Sequence, residues 1–187
     1  MRRCFFVCAA LLALFSLGGC TTAQVVQNAT PIGDQPLAQD FSLFGRISVR
    51  VNDKIDSGQI RWSRSAAEER VGLYSPLGPQ VAELVSDRLA RVVTLRQGKE
   101  TVTADSVAAL TQTFLGVPLD LDRMAEWVQG FGLRENEITE RTLANGDVWR
   151  VSAERYQSVG NFRFASRLIA TRGDIVVRLV IDGWTPQ

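Results

Sequence analysis

From Phe41 onward, apolar and polar positions alternate with period two. Phe41, Leu43, Ile47, Val49 and Val51 are interleaved with Ser42, Arg46, Ser48 and Arg50, the pattern of a strand with one buried face. Asn52-Asp53-Lys54 predicts a turn, and Ile60 and Trp62 repeat the alternation. Val71 and Leu73 begin another strand, which breaks at Ser75-Pro76-Leu77-Gly78-Pro79. Val81, Glu83 and Val85 then resume on one face, with Ala82 and Leu84 on the other. Leu89 to Leu95 predicts a further strand, and Gln97-Gly98 turns into Thr101 to Thr103. Turns at such intervals describe an antiparallel meander.

The period then changes. Near Asp105 or Ser106 a helix is capped, with Val107, Leu110 and Phe114 along one side and Gly116 and Pro118 ending it. A second helix starts at Asp120, carries Leu121, Met124, Ala125 and Val128 on one stripe, and closes at Gly130. After a polar stretch with an Asn145-Gly146 turn, strands return over Val148–Tyr156, Phe162–Thr171 and Ile175–Trp184. Strands, two helices, then strands predict an α+β fold in which a curled antiparallel sheet covers the helices on its concave side.

The amino terminus reads differently. Arg2 and Arg3 precede an apolar run, Cys4 to Leu17, of about 14 residues, too short to span a bilayer comfortably. Leu17-Gly18-Gly19-Cys20 follows and resembles a bacterial lipobox. That resemblance implies a signal peptide over 1–19, cleavage before Cys20, and a covalent N-acyl diacylglycerol on Cys20 as the sole lipid group, with no other cofactor. The alternative is an ordinary signal peptide with a chance cysteine, though no A-x-A-like site lies nearby. Residues 20–40, small, polar and punctuated by Pro31 and Pro36, read as a flexible tether with a reach of about 25 Å. Residues 41–187 form one domain.

Composition narrows the function. The 187 residues carry 21 bases and 20 acids, and Arg2 and Arg3 leave with the signal, so the remainder is acidic by one charge. The basic residues, nearly all arginine, are scattered, with Arg46 and Arg50 on the outward face. This argues against a nucleic-acid partner, which needs a concentrated basic surface. There is no histidine, and Cys4 and Cys8 leave with the signal. Ser-His-Asp and Cys-His mechanisms and nearly every zinc site are thereby excluded, so no catalytic residue and no metal ligand is assigned. Glu68-Glu69 and Asp120/Asp122 read as solvated acids or helix-dipole partners rather than catalytic carboxylates.

Several motifs carry a further resemblance: Leu73-Tyr74-Ser75-Pro76-Leu77-Gly78, Thr103-Ala104-Asp105 leading through Leu115-Gly116-Val117-Pro118-Leu119, Trp127-Val128-Gln129-Gly130, and Ile181-Asp182-Gly183-Trp184. In order and spacing, together with the lipobox, they resemble the LolB family over about Phe41 to Gln187. The resemblance implies an open antiparallel half β-barrel around short helices, enclosing an apolar cavity. It implies a lipid-anchored, periplasm-facing monomer at the outer membrane that accepts triacylated lipoproteins from the periplasmic carrier LolA. It would place them in the inner leaflet of that membrane, passively, down a gradient of affinity.

Each buried methylene is worth about 0.8 kcal/mol, so three acyl chains must be covered in transit. The expected cavity lining is Ile47, Val49, Ile60, Trp62, Leu73, Val93, Leu110, Phe114, Met124 and Trp127; for each the alternative is ordinary core packing. Pro76 stiffens the following turn, Gly78 permits an unusual φ, and Leu77 stands between them. The resemblance implies that Leu77 is exposed and acts in membrane insertion; the alternative is that it folds back onto the core. At the level of the whole protein, the alternative is a structural or accessory outer-membrane lipoprotein with a solid core and no acyl-chain transfer. A lipid-active hydrolase is disfavoured by the missing histidine.

Overall fold

The computed structural model describes residues 37–115 and 117–187. The signal, Cys20, most of the tether and Gly116 lie outside the described residues. Alternating side chains build strands β1 (Phe41–Val51), β2 (Lys54–Arg64), β3 (Glu68–Tyr74), β4 (Gln80–Asp87), β5 (Val92–Gln97) and β6 (Glu100–Ala104). Helices α1 (Val107–Leu115) and α2 (Leu121–Val128) follow, then β7 (Ile138–Thr142), β8 (Val148–Val159), β9 (Phe162–Arg172) and β10 (Ile175–Pro186). The strands form one open sheet in the order β6-β5-β4-β3-β2-β1-β10-β9-β8-β7, every neighbour antiparallel. The helices sit in the connection between the two edge strands, β6 and β7.

Two expectations are corrected. The strand expected from Leu89 starts at Val92. Asp87 Oδ1 accepts the N–H groups of Leu89 and Ala90 at 3.0 and 2.8 Å, so residues 88–91 are a turn with Leu89 80% exposed. An aspartate whose side chain binds the backbone two and three residues on sets a turn regardless of the apolar residue at its tip. The stretch 131–147 also holds β7, an edge strand whose Ile138, Glu140 and Thr142 are exposed. Its alternation is mostly polar because little covers it.

On the buried face, Phe41, Trp62, Trp184 and Phe164 stack at the end of the sheet where the chain enters. Ring centroids are 5.5 Å apart for Phe41–Trp62, 5.8 Å for Phe41–Trp184 and 5.1 Å for Phe164–Trp184. Such pairs stabilise beyond the area they bury, by about 0.5–1.5 kcal/mol each. Gly45 marks a register shift between β1 and β10, and a Cβ there would collide with the carbonyl oxygen of Val180.

The helices are short, so their ends are tied by side chains. Ser106 Oγ accepts the N–H of Ala109, and Asp120 Oδ1 accepts that of Arg123. Thr111, buried, donates to Val107 O and accepts the N–H of Leu119 at 2.8 Å, which folds the α1–α2 connection back on α1. No helix among the described residues is long and apolar enough to cross a membrane.

Candidate functional site

Period two sends Ile47, Ile60, Leu168, Ala170, Val177 and Leu179 to the same face of the sheet, and α2 lays Met124, Trp127 and Val128 over them. Trp62 and Trp149 complete the walls, and the Trp127 and Trp149 rings lie 6.3 Å apart. Five expected lining residues therefore converge: Ile47, Ile60, Trp62, Met124 and Trp127. The space left among them is about 30 Å³. That is one water's share of liquid volume, against about 300–1,000 Å³ for pockets that hold a drug-sized ligand. α2 fills and roofs the apolar face.

The other expected residues lie elsewhere. Val49 and Leu73 are partly buried against the core, and Leu110 is buried on the inner side of α1, none of them at this void. Val93 lines a neighbouring cleft of about 460 Å³ between the β4–β5 turn and the α1–α2 connection. Phe114 is 37% exposed. α1 packs against β5 and β6 at the edge of the sheet. Trp149, Leu143 and Leu179 are lining residues that the sequence reading did not single out. The alternation of Trp149 with Val151 was the available signal.

The acids behave unequally. Glu68 is half-exposed, but Glu69 is buried at 3% exposure. The solvated reading of Glu69 is therefore corrected: β3 sends it inward with Val71 and Leu73. Its Oε1 accepts from the Trp62 indole at 2.9 Å and from Arg64 at 3.3 Å, and Arg88 lies 3.6 Å from Oε2. Burial pushes the Glu69 carboxyl above its ordinary value, against the pull of Arg64, the Trp62 indole and Arg88. Arg64 and Arg88 both also bond Asp122 in the first turn of α2. Burial pushes the Asp122 carboxyl up, but these two arginines outweigh it and hold it below the usual range.

The loop between β3 and β4 is braced. Ser75 N–H donates to Pro79 O at 2.8 Å, and Gly78 N–H donates to Ser75 O at 3.0 Å. Gly78 has φ 113°, a conformation an L side chain rarely adopts. Leu77 at the tip is 96% exposed, with Val81 beside it at 47%. No charged residue lies from Ser75 to Val81. Strand direction puts this loop at the end of the sheet away from Phe41, on the same end as the β1–β2 turn.

The opposite face of the sheet offers a different surface. A hollow of about 1240 Å³ there carries Arg46, Arg61, Arg70, Arg178, Glu83 and Asp182 among its walls, charges that apolar chains would have to desolvate. Among the described residues no three His, Cys, Asp or Glu side chains are placed to hold a metal ion.

Comparison with known proteins completes the picture. A LolA superfamily protein from Nitrosomonas europaea has the same fold, with a TM-score of 0.53 at 10% identity over 82% of this chain and 88% of its own. The outer-membrane lipoprotein LolB of Thiobacillus denitrificans is 33% identical over 181 residues, 91% of this chain and 92% of its own. That of Azoarcus sp. strain BH72 is 29% identical over 192 residues, 97% and 96% of the two chains. The family model described as outer membrane lipoprotein LolB matches residues 39–184, from just before β1 almost to the end of β10, and the chain belongs to that family.

Proposed function

We propose that this protein is an outer-membrane lipoprotein, anchored through Cys20, that takes acylated lipoproteins from the periplasmic carrier LolA and delivers them to the inner leaflet of the outer membrane. The sheet face roofed by α2 takes the acyl chains, and the Leu77 loop enters the membrane at delivery. The reading rests above all on Leu77, which is 96% exposed on a proline-braced, uncharged loop. Val81 beside it is 47% exposed, and with no charged residue from Ser75 to Val81 the loop can enter hydrocarbon without the cost of burying a charge. The relatives named outer-membrane lipoprotein LolB and the apolar interior under a short helix support the same reading.

Transfer is passive. It runs from a weaker to a stronger apolar site, since a ligand moves an equilibrium only by its difference in affinity. Acceptance requires α2 or α1 to move, because a void of about 30 Å³ holds no acyl chain.

That filled interior favours one alternative, a structural lipoprotein that binds no acyl chain. An apolar fluorophore bound by the protein and displaced by an acylated peptide, but not by the unacylated form, supports transfer. A protein that leaves the fluorophore in water supports the structural role.

A further inference from the structure

The outward face of the sheet carries unbalanced charge. Directly paired residues share a face, so Arg46 with Gln59, Ser48 with Ser57 and Arg178, and Arg50 with Ile55 all point away from the helices. Across β1, β2 and β10 that face holds Arg46, Arg50, Arg61 and Arg178 against one acid, Asp182, while Asp56 pairs with Val49 and points to the other face. Asp182 is taken by Arg46, at 3.2 and 2.9 Å. Glu83, the other acid of the hollow, is taken by Arg70 and Arg96 at 2.9 and 3.2 Å. Arg61 stacks over Tyr74, its guanidinium carbon 5.0 Å from the ring centroid. Arg50, Arg61 and Arg178 are exposed and have no ion-pair partner among the described residues.

This charge adjoins the Leu77 loop. The hollow of about 1240 Å³ has Arg61 and Arg178 on its walls and reaches Tyr74 and Pro76, which lead into Leu77. At the same end of the sheet Ile55, paired with Arg50, is 62% exposed. Apolar tips with arginines a short way behind them match the layering of a bilayer surface, hydrocarbon below phosphate. Arg178 pairs with Ser48, two residues from Arg50, so the two arginines stand about 7 Å apart along the strands. The polar layer on one side of a bilayer is about 5–8 Å thick. Both guanidiniums therefore reach phosphates when Ile55 and Leu77 touch hydrocarbon.

We infer that the outward face of β1, β2 and β10 is a docking surface for anionic phospholipid headgroups. Arg50 and Arg178 donate to the lipid phosphates, Arg61 stands next in line within the hollow, and Ile55 is a second apolar contact beside Leu77. The inference rests on the membrane delivery proposed above and adds how the sheet is set against the bilayer. A guanidinium binds a phosphate through two parallel N–H donors, so this face fixes the angle at which the loop enters. The continuity of the hollow with the Leu77 loop, and Ile55 exposed below the arginines, favour a lipid surface over an acidic protein.

The test uses the full lipid-anchored protein in vesicles of phosphatidylcholine, alone or mixed with phosphatidylglycerol. Phenylglyoxal modifies free guanidiniums, and mass spectrometry reads each arginine. Arg50 and Arg178 should react about fivefold more slowly in the anionic vesicles, and Arg61 should be slowed less. Arg91, exposed on the β4–β5 turn at the far end of the sheet, should react alike in both. High salt should abolish the difference. Delivery of lipoprotein from the carrier LolA should be about fivefold faster into the anionic vesicles. The variant Arg50→Gln with Arg178→Gln, at exposed positions that cost the fold little, should deliver equally into both. Equal reaction of Arg50 and Arg178 in the two vesicles, or equal protection of Arg91, overturns the docking surface. Protection of these arginines by the carrier in phosphatidylcholine vesicles, with none from phosphatidylglycerol, assigns the face to the carrier and overturns it too. A wild-type protein that delivers into neither vesicle overturns the proposed function, while the reactivity of the arginines still decides the lipid surface.

Discussion

The indole N–H of Trp62 donates to Oε1 of Glu69 at 2.9 Å, and so joins the wall of the apolar interior to the ion pairs that hold α2. Buried tryptophans usually find a partner for the indole N–H, and Trp62 finds it in Glu69. A carboxylate this buried needs cations, and Arg64 and Arg88 supply them. The same two arginines bind Asp122, so one set of contacts serves both the wall and the cover.

Glu69 sets a pH dependence that can be isolated. Its folded value lies above its unfolded one, so the folded state binds its proton more tightly. Stability from this group is full below the ordinary value of 4.5 and falls as pH rises through the raised value. Asp122 has the opposite sign: its contribution is present above 3.8 and is lost as pH falls below that. Glu69→Gln keeps an acceptor for Trp62 and erases only the first slope. Urea unfolding at several pH values should show the variant gaining on wild type as pH climbs from about 4.5. A difference independent of pH would contradict the assignment.

Trp127 and Phe114 should separate core from surface. Trp127 is 4% exposed and packs on Trp149, so Trp127→Ala should cost about 3–5 kcal/mol of stability. Phe114 is partly exposed near the end of α1, and Phe114→Ala should cost about 1 kcal/mol or less. Denaturant midpoints compare them; a large loss for Phe114→Ala would show that α1 is buried more deeply in solution.

Gly45→Ala should be among the most damaging small substitutions. The added methyl meets the backbone of Val180 across the β1–β10 pair, where no rotamer can relieve it. A loss of several kcal/mol, in the range of overpacked cores, is expected. A variant with wild-type thermal stability would mean that the register shift at Gly45 relaxes freely.

How much of this was legible in the sequence depends on whether the signal was local. Alternation located eight of the ten strands, because each has one face turned to the core, and the Gln97-Gly98 turn pointed to β6, whose residues are mostly exposed. It missed β7, whose residues are mostly polar at the sheet edge, and it extended β5 back to Leu89, where a side-chain hydrogen bond from Asp87 decides the conformation. Helix caps at Ser106 and Asp120 were readable from residue type. Pro76 and Gly78 placed Leu77 at the tip of a turn but left open whether it folds back onto the core; its exposure was what the family resemblance implied. Five of the ten residues expected to line a cavity meet under α2; the spacing of Phe114 fits a buried stripe, but its exposure on α1, which packs at the sheet edge, depends on tertiary packing. Glu69 was misread because its neighbour Glu68 suggested a solvated turn. Counting back by two from Val71 would have placed it inward. That Arg64, Arg88 and Asp122 meet there depends on contacts as much as 58 positions apart in the chain, which no local pattern encodes.

The measurement that tests the proposed function most directly separates acceptance from delivery in a single variant. Leu77→Glu places a charge where an apolar side chain would enter the bilayer, at a cost of several kcal/mol in hydrocarbon, while on a loop 96% exposed it costs the fold little. Lipoprotein is passed from the carrier LolA to the protein, and then from the protein to phospholipid vesicles, with each step followed separately. The variant should accept lipoprotein at the wild-type rate and fail to release it into vesicles. Release at the wild-type rate would contradict the membrane role of the loop, and failure of acceptance by the wild-type protein itself would contradict the transfer function.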